Sequence, residues 1–96
     1  MTKYYLYIVK CFDDTLYTGI TTDLERRVKE HNSSKLGASY TRARRPVSLV
    51  FSKRFNNRST VSKEEARIKK LSRLEKLKLI KSYEPANSRR KKNNNR

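Results

Sequence analysis

The chain has one cysteine, Cys11, and one histidine, His31, among 96 residues. A single cysteine excludes an internal disulfide and fits a reducing compartment. Its setting in a β-like run makes it a small core residue. One histidine and one cysteine cannot build a tetrahedral zinc site, so any bound metal has to be a hard, oxygen-seeking ion such as magnesium. Long apolar runs are missing too. The longest, Tyr4 to Val9, holds six residues, far short of a membrane span. No signal peptide is visible, and the expected location is the cytoplasm. Internal repeats are absent. Acids are scarce: nine Asp and Glu face 25 Lys and Arg, for a net charge of +16.

That imbalance favours polyanions, above all nucleic acid. It also fits a solubilising surface or a ribosome-associated basic protein. Residues 89–96 supply five of the charges, Arg89, Arg90, Lys91, Lys92 and Arg96, and +11 remains without them. The rest of the chain is therefore basic in its own right. With 34% hydrophobic residues, the length suits one domain with a small, efficiently used core. The expected division is a folded domain over residues 1–84 and a basic, Asn-rich disordered tail over 85–96.

Along the chain, Tyr4 to Cys11 and Leu16 to Ile20 read as two strands of a hairpin around Asp13-Asp14. The first is apolar on both faces, as a buried central strand would be. Thr22-Asp23-Leu24-Glu25 has the spacing of a capping box and opens a helix, which ends near Asn32-Ser33-Ser34. A loop from Lys35 to Arg45 follows, with room for a helical turn. Pro46 then opens a third strand in which Val47, Leu49 and Phe51 alternate with Ser48, Val50 and Ser52. After a turn at Asn56 to Ser59, two helices are predicted, from about Ser59 to Leu71 and from Ser72 to Lys81. In the second, Ser72 to Glu75 forms a capping box, and Leu74 and Leu77 mark the inward side.

The first helix carries an anomaly. Its inward stripe, at i, i+3, i+4 and i+7, reads Leu24, Arg27, Val28, His31. An inward guanidinium costs several kcal/mol unless an anion pairs with it, so Arg27 beside His31 suggests a site built for an anion. A lone inward histidine is also commonly a hydrogen-bonded core residue. The stripe Val61, Glu65, Ile68, Leu71 repeats the pattern with Glu65. Ser62-Lys63-Glu64-Glu65 fits a capping box as well, so the residues alone leave both readings of Glu65 open.

Tyr5-Leu6-Tyr7, then Tyr17-Thr18-Gly19, then Asp23 to Arg27 and His31, resemble in that order the signature of the GIY-YIG nuclease superfamily. Gly37 to Arg42 with Arg44 to Val47, and Ile68 to Arg73, resemble its small stand-alone bacterial (YhbQ-like) members. The likeness spans roughly residues 4–81, with variable letters at the centre of each triplet. It implies a GIY-YIG-type α/β (α+β) fold, a small three-stranded antiparallel sheet flanked by helices. It further implies a metal-dependent DNA endonuclease acting in repair, recombination or processing, with DNA as partner. No membrane is expected, and the oligomeric state stays open with a monomer favoured. Glu65 is then the family's metal-binding glutamate.

The chemistry such residues offer is phosphodiester hydrolysis. Glu65 suffices for one Mg2+ (or Mn2+) ion, because magnesium keeps several waters and takes only one or two carboxylates. Arg27 offers a planar fork of donors for phosphate oxygens. Tyr7 and Tyr17 have unperturbed pKa values of about 10; close to Arg27 and a cation, a phenol acidifies enough to orient or deprotonate water. Tyr7 is assigned the base role, with His31 one turn from Arg27 relaying the proton. The expected catalytic set is Tyr7, Tyr17, Arg27, His31 and Glu65. Gly19 either eases a bend or lets the backbone approach a phosphate. Lys35, Tyr40, Thr41, Arg42, Arg44 and Arg45 read as a nucleic-acid-binding loop, a stacking ring among cations.

Two competitors stand beside this reading. One is a catalytically silent DNA- or RNA-binding module on the same scaffold; the other is a protein-interaction or ribosome-associated factor. A shared site makes a geometric demand. Tyr7 and Tyr17 can face the same side only if Tyr17 pairs with an odd-numbered residue, Val9 or Cys11, which requires a hairpin loop of odd length.

Overall fold

Four consecutive residues, Leu6 to Val9, are almost wholly buried, so both faces of one strand are covered. This strand, β1 (Tyr4–Lys10), is the centre of a three-stranded antiparallel sheet of order β2-β1-β3, with β2 at Leu16–Thr21 and β3 at Ser48–Phe55. The helices are α1 (Leu24–Ser33), the short α2 (Ser39–Arg42), α3 (Arg58–Lys69) and α4 (Arg73–Ser82). The computed structural model describes residues 2–33 and 37–83. The expectations for Lys35, for the tail from Pro85 and for the domain boundary before it fall outside those residues.

The hairpin has the required parity. Residues 11–15 form its loop, and Tyr17 pairs with Val9 while Gly19 pairs with Tyr7. Asp14 takes the left-handed conformation at φ 70°, which Asp tolerates better than most residues. Asp13 steadies the turn by accepting from the Thr15 amide and hydroxyl at 3.2 and 2.6 Å.

Alternation along β1 then sorts the molecule into two cores. Leu6 and Ile8 pack with Phe51, Val61 and Ile68 on the side of α3 and α4. Tyr7, Val9 and Cys11 pack with Val47, Leu24 and Val28 on the side of α1. Cys11 is a buried core residue just past the strand end. Asn32 ties the end of α1 to the start of β3, exchanging hydrogen bonds with the Val47 backbone at 2.6 and 3.0 Å.

Four local expectations need correction. The cap of α1 is Asp23, whose carboxylate accepts the Arg26 amide at 3.1 Å; Thr22 is one residue too early. In β3 the register shifts between Ile8 and Val9, which pair with Phe51 and Leu49. Val50 is the extra residue of that bulge, so Phe51 faces the opposite core from Val47 and Leu49. Helix α3 is capped by Asn57, which accepts the Thr60 amide at 2.8 Å. Ser62 is thus mid-helix, and the capping-box reading of Glu65 is excluded. In α4 the Ser72–Glu75 capping box forms as expected, but Leu74 and Leu77 are exposed. Leu79, Ile80 and Tyr83 face the core instead.

Candidate active site

Tyr7 projects from β1 toward α1, and its ring lies across Gly19 on the neighbouring strand. A β-carbon at Gly19 would stand 2.5 Å from the Tyr7 hydroxyl and 2.7 Å from Cζ. Gly19 therefore makes room for the phenol. On that side of the Gly19 backbone the space is filled by Tyr7 rather than open to a phosphate.

Tyr7 reaches His31, which α1 delivers to the same face. The phenol oxygen lies 2.8 Å from His31 Nε2, and His31 Nδ1 lies 2.7 Å from the Thr41 hydroxyl. The imidazole is fully buried and meets the rings of Tyr7 and Tyr17 edge-on, with centroids 5.7 and 5.4 Å away. His31 is thus a hydrogen-bonded core residue and a member of the polar cluster at once. Burial, then the positive charges of Arg27 and Arg45, hold its pKa below the usual histidine value against the opposing pull of Glu30.

Arg27 lies close enough to Tyr7 to pull its pKa down and donates to Glu30 at 2.8 Å. Burial works to lower the Arg27 pKa, but Glu30 and Tyr7 outweigh it and raise it. Glu30 is the anionic partner that an inward arginine requires, and it was absent from the expected site. The i, i+3 spacing on one helix was the signal available for it.

The Tyr7 phenol is not acidified in this state. Burial raises its pKa; Arg27 opposes that, while Tyr17 and Glu65 add to it. Glu65 is thus close enough for its charge to be felt at Tyr7. It lies on α3 between the buried Val61 and Ile68, mostly covered, with Lys69 Nζ at 3.2 Å.

The expected nucleic-acid loop turns out to be largely structural. Thr41 is fully buried behind His31, its hydroxyl bonded to the Ala38 carbonyl at 3.0 Å, so it cannot meet a ligand. Arg45 donates to the carbonyls of Glu30 and His31, closing the last turn of α1. Tyr40 is exposed but already engaged. Tyr17 stacks on it at 5.9 Å and 24°, and the Arg44 guanidinium sits 4.0 Å from its centroid. Arg44 also pairs with Asp13 at 3.2 Å. Arg42 is exposed and touches only the Ser39 hydroxyl, at 3.3 Å, among its described partners.

The model of the GIY-YIG catalytic domain matches residues 3–78. This chain belongs to the GIY-YIG family. A UPF0213 protein of Syntrophus aciditrophicus is 57% identical over 81 residues, covering 84% of this chain and 93% of its relative. One from Staphylococcus haemolyticus is 51% identical over 80 residues, covering 83% and 96%. Two solution structures share the fold. The UPF0213 protein BH0048 of Bacillus halodurans is 38% identical with TM-score 0.58, covering 90% of each chain. The protein EF2693 of E. faecalis is 40% identical with TM-score 0.59, covering 85% of this chain and 86% of that one.

Within this GIY-YIG domain, no three His, Cys, Asp or Glu come together among the described residues. The donor set therefore suits no zinc-type cage. A hard ion that retains most of its waters needs only one carboxylate, and Glu65, paired with Lys69 on α3, is a carboxylate of that kind. No described helix is long and apolar enough to cross a membrane.

Proposed function

We propose that this GIY-YIG protein is a metal-dependent endonuclease that hydrolyses phosphodiester bonds of DNA, in repair, recombination or processing. It works as a cytoplasmic monomer with one Mg2+ or Mn2+ ion at Glu65. The observation that carries this reading is the Tyr7 hydroxyl, 2.8 Å from His31 Nε2 and within the field of the Arg27 charge. A phenol donates there to a neutral imidazole while a cation faces its oxygen, and that is the arrangement a general base needs.

Tyr7 passes its proton to His31 Nε2, and Arg27 stabilises the phenolate so formed. The phenolate takes a proton from the attacking water as the hydroxyl adds to phosphorus, and the bond to the leaving oxygen breaks. His31 ends the step protonated. Arg27 brings a planar, permanently charged guanidinium to this face, and its charge stabilises the phosphoryl oxygens. Tyr17 packs against His31 and Tyr40 and lines the same face. When bound, the ion polarises the phosphate and the leaving oxygen. Arg42, which is exposed, holds the DNA backbone beside the site.

A cleavage screen over duplex, single-stranded, flapped and branched DNA, with magnesium, manganese or chelator, tests the proposal. Metal-dependent cleavage of at least one substrate is expected. Binding without turnover on every substrate and with either metal overturns it in favour of a silent DNA- or RNA-binding module.

A further inference from the structure

We infer that Thr41 is a positioning residue: its buried hydroxyl holds His31 in the Nδ1–H form, which aims the Nε2 lone pair at Tyr7. The inference deepens the proposed reaction and rests on it for its meaning, but its geometry stands alone.

The Ala38 carbonyl can only accept, and the Thr41 hydroxyl donates to it at 3.0 Å. A hydroxyl has one proton, so toward His31 Nδ1, at 2.7 Å, Thr41 Oγ1 can only accept. Nδ1 therefore carries the proton, and a neutral imidazole protonated there accepts at Nε2. The Tyr7 hydroxyl, 2.8 Å away and only 1% exposed, donates to it. Every bond in the chain from Tyr7 to Ala38 thus runs in one direction.

The opposite tautomer breaks the chain at both ends. Nε2–H would then donate to the Tyr7 oxygen, so a buried phenol proton would lose its acceptor, and Nδ1 would compete with the Ala38 carbonyl for the single Thr41 proton. A doubly protonated ring fails at the Tyr7 end. The groups facing the imidazole are Tyr7 from β1, Tyr17 from β2, Arg27 and Glu30 from α1, and Arg45 after α2, of which Glu30 favours the cation and is outweighed. Burial and the two arginines disfavour its cation. Threonine suits the task better than serine because its branched side chain is stiff about χ1, and Thr41 is fully buried on a helix of four residues.

With one histidine in the chain, imidazole 15N spectra of the labelled full-length protein report this site alone. At a pH where His31 is neutral, the wild type is expected to show a pyrrole-like Nδ1 and a pyridine-like Nε2. Thr41→Val keeps the shape but removes the acceptor, so the Nδ1–H preference is expected to relax or invert; Thr41→Ser is expected to restore it. A pyridine-like Nδ1 in the wild type overturns the inference. So does a Thr41→Val spectrum unchanged from wild type. If Thr41→Val does not fold, the wild-type and Thr41→Ser spectra still decide. These readouts need no substrate, so a protein that cuts no DNA refutes the nuclease reading and leaves the tautomer assignment standing. Where cleavage is measurable, Thr41→Val is expected to lower kcat with KM nearly unchanged, and Thr41→Ser to recover it.

Discussion

The ring of Tyr7 lies where the side chain of residue 19 would be, with the phenol oxygen 2.5 Å from a β-carbon built on Gly19. A contact that close forces the ring to move. Gly19→Ala is therefore expected to swing Tyr7 off His31 and to cost about 1–3 kcal/mol of stability by overpacking. Misplacing a general base by about 1 Å lowers turnover by about 10²-fold. Urea unfolding and cleavage kinetics check the two effects separately. A variant with wild-type stability and rate would show that the phenol position is not critical.

Arg27→Ala removes the donor that faces the Tyr7 oxygen and the phosphoryl group. Losing a charge-stabilising donor of this kind typically lowers the rate by about 10²–10³. Affinity for DNA is expected to change far less, because Arg27 is one cation among 25. Glu30→Gln leaves the arginine in place but withdraws its partner at 2.8 Å. A smaller loss of turnover is expected there, with Arg27 less firmly aimed. Equal rates for wild type and both variants would mark the Arg27–Glu30 pair as structural only.

Glu65→Gln keeps the shape of the side chain and removes its charge. Cleavage is expected to fall and to stay low as magnesium is raised, while DNA affinity holds or rises slightly. The Tyr7 phenol should also titrate lower in this variant, since Glu65 helps to raise its pKa. Ultraviolet titration and a binding assay without turnover read these outcomes. Full cleavage by Glu65→Gln would remove Glu65 from the proposed metal site.

His31 links stability to pH. Its pKa is depressed in the fold by burial and by Arg27, whereas an unfolded histidine titrates at about 6.5. Above that pH the ring is neutral in both states, and its full contribution to stability is present. As pH falls below it, the unfolded chain takes up a proton that the folded site resists, and stability is lost. Asp13 and Glu64, whose pKa values are lowered in the fold, begin to act only in the carboxylate range. Denaturation midpoints are therefore expected to drop between about pH 6.5 and pH 5 in the wild type and to stay flat in His31→Gln. Parallel curves for the two proteins would contradict the assignment.

Parity made the two tyrosines legible from sequence. Tyr7 and Tyr17 share a face because the hairpin loop is odd, and alternation does the rest. Helical spacing likewise brought Arg27 and His31 to one stripe, and Glu30 was within reach of the same reasoning. Thr41 was not. Its partner is ten residues away, across a segment with no period to extrapolate, so a buried hydroxyl there looks like any loop threonine. The arginines around it misled for a related reason. Net charge predicts a polyanion, but not which cations are already committed to Asp13, to the Tyr40 ring or to the carbonyls of α1. The β3 bulge left no mark in the pattern either, since Leu49 and Phe51 alternate perfectly on paper and part company only when paired with Val9 and Ile8. In α4 four apolar residues are spread round the helix, so its inward face was set by what the neighbouring core offered.

The hydrogen-bond chain from Tyr7 ends on the Ala38 carbonyl, a group with no proton to hand on and none to exchange. In the proposed reaction this makes the interior a dead end. A proton arriving at His31 cannot be conducted onward to solvent; it is parked there for the life of the intermediate and leaves by the phenol through which it entered. The site therefore behaves as a reservoir with a single mouth, holding one proton per turnover. Resetting it requires only that the product leave and Tyr7 meet water again.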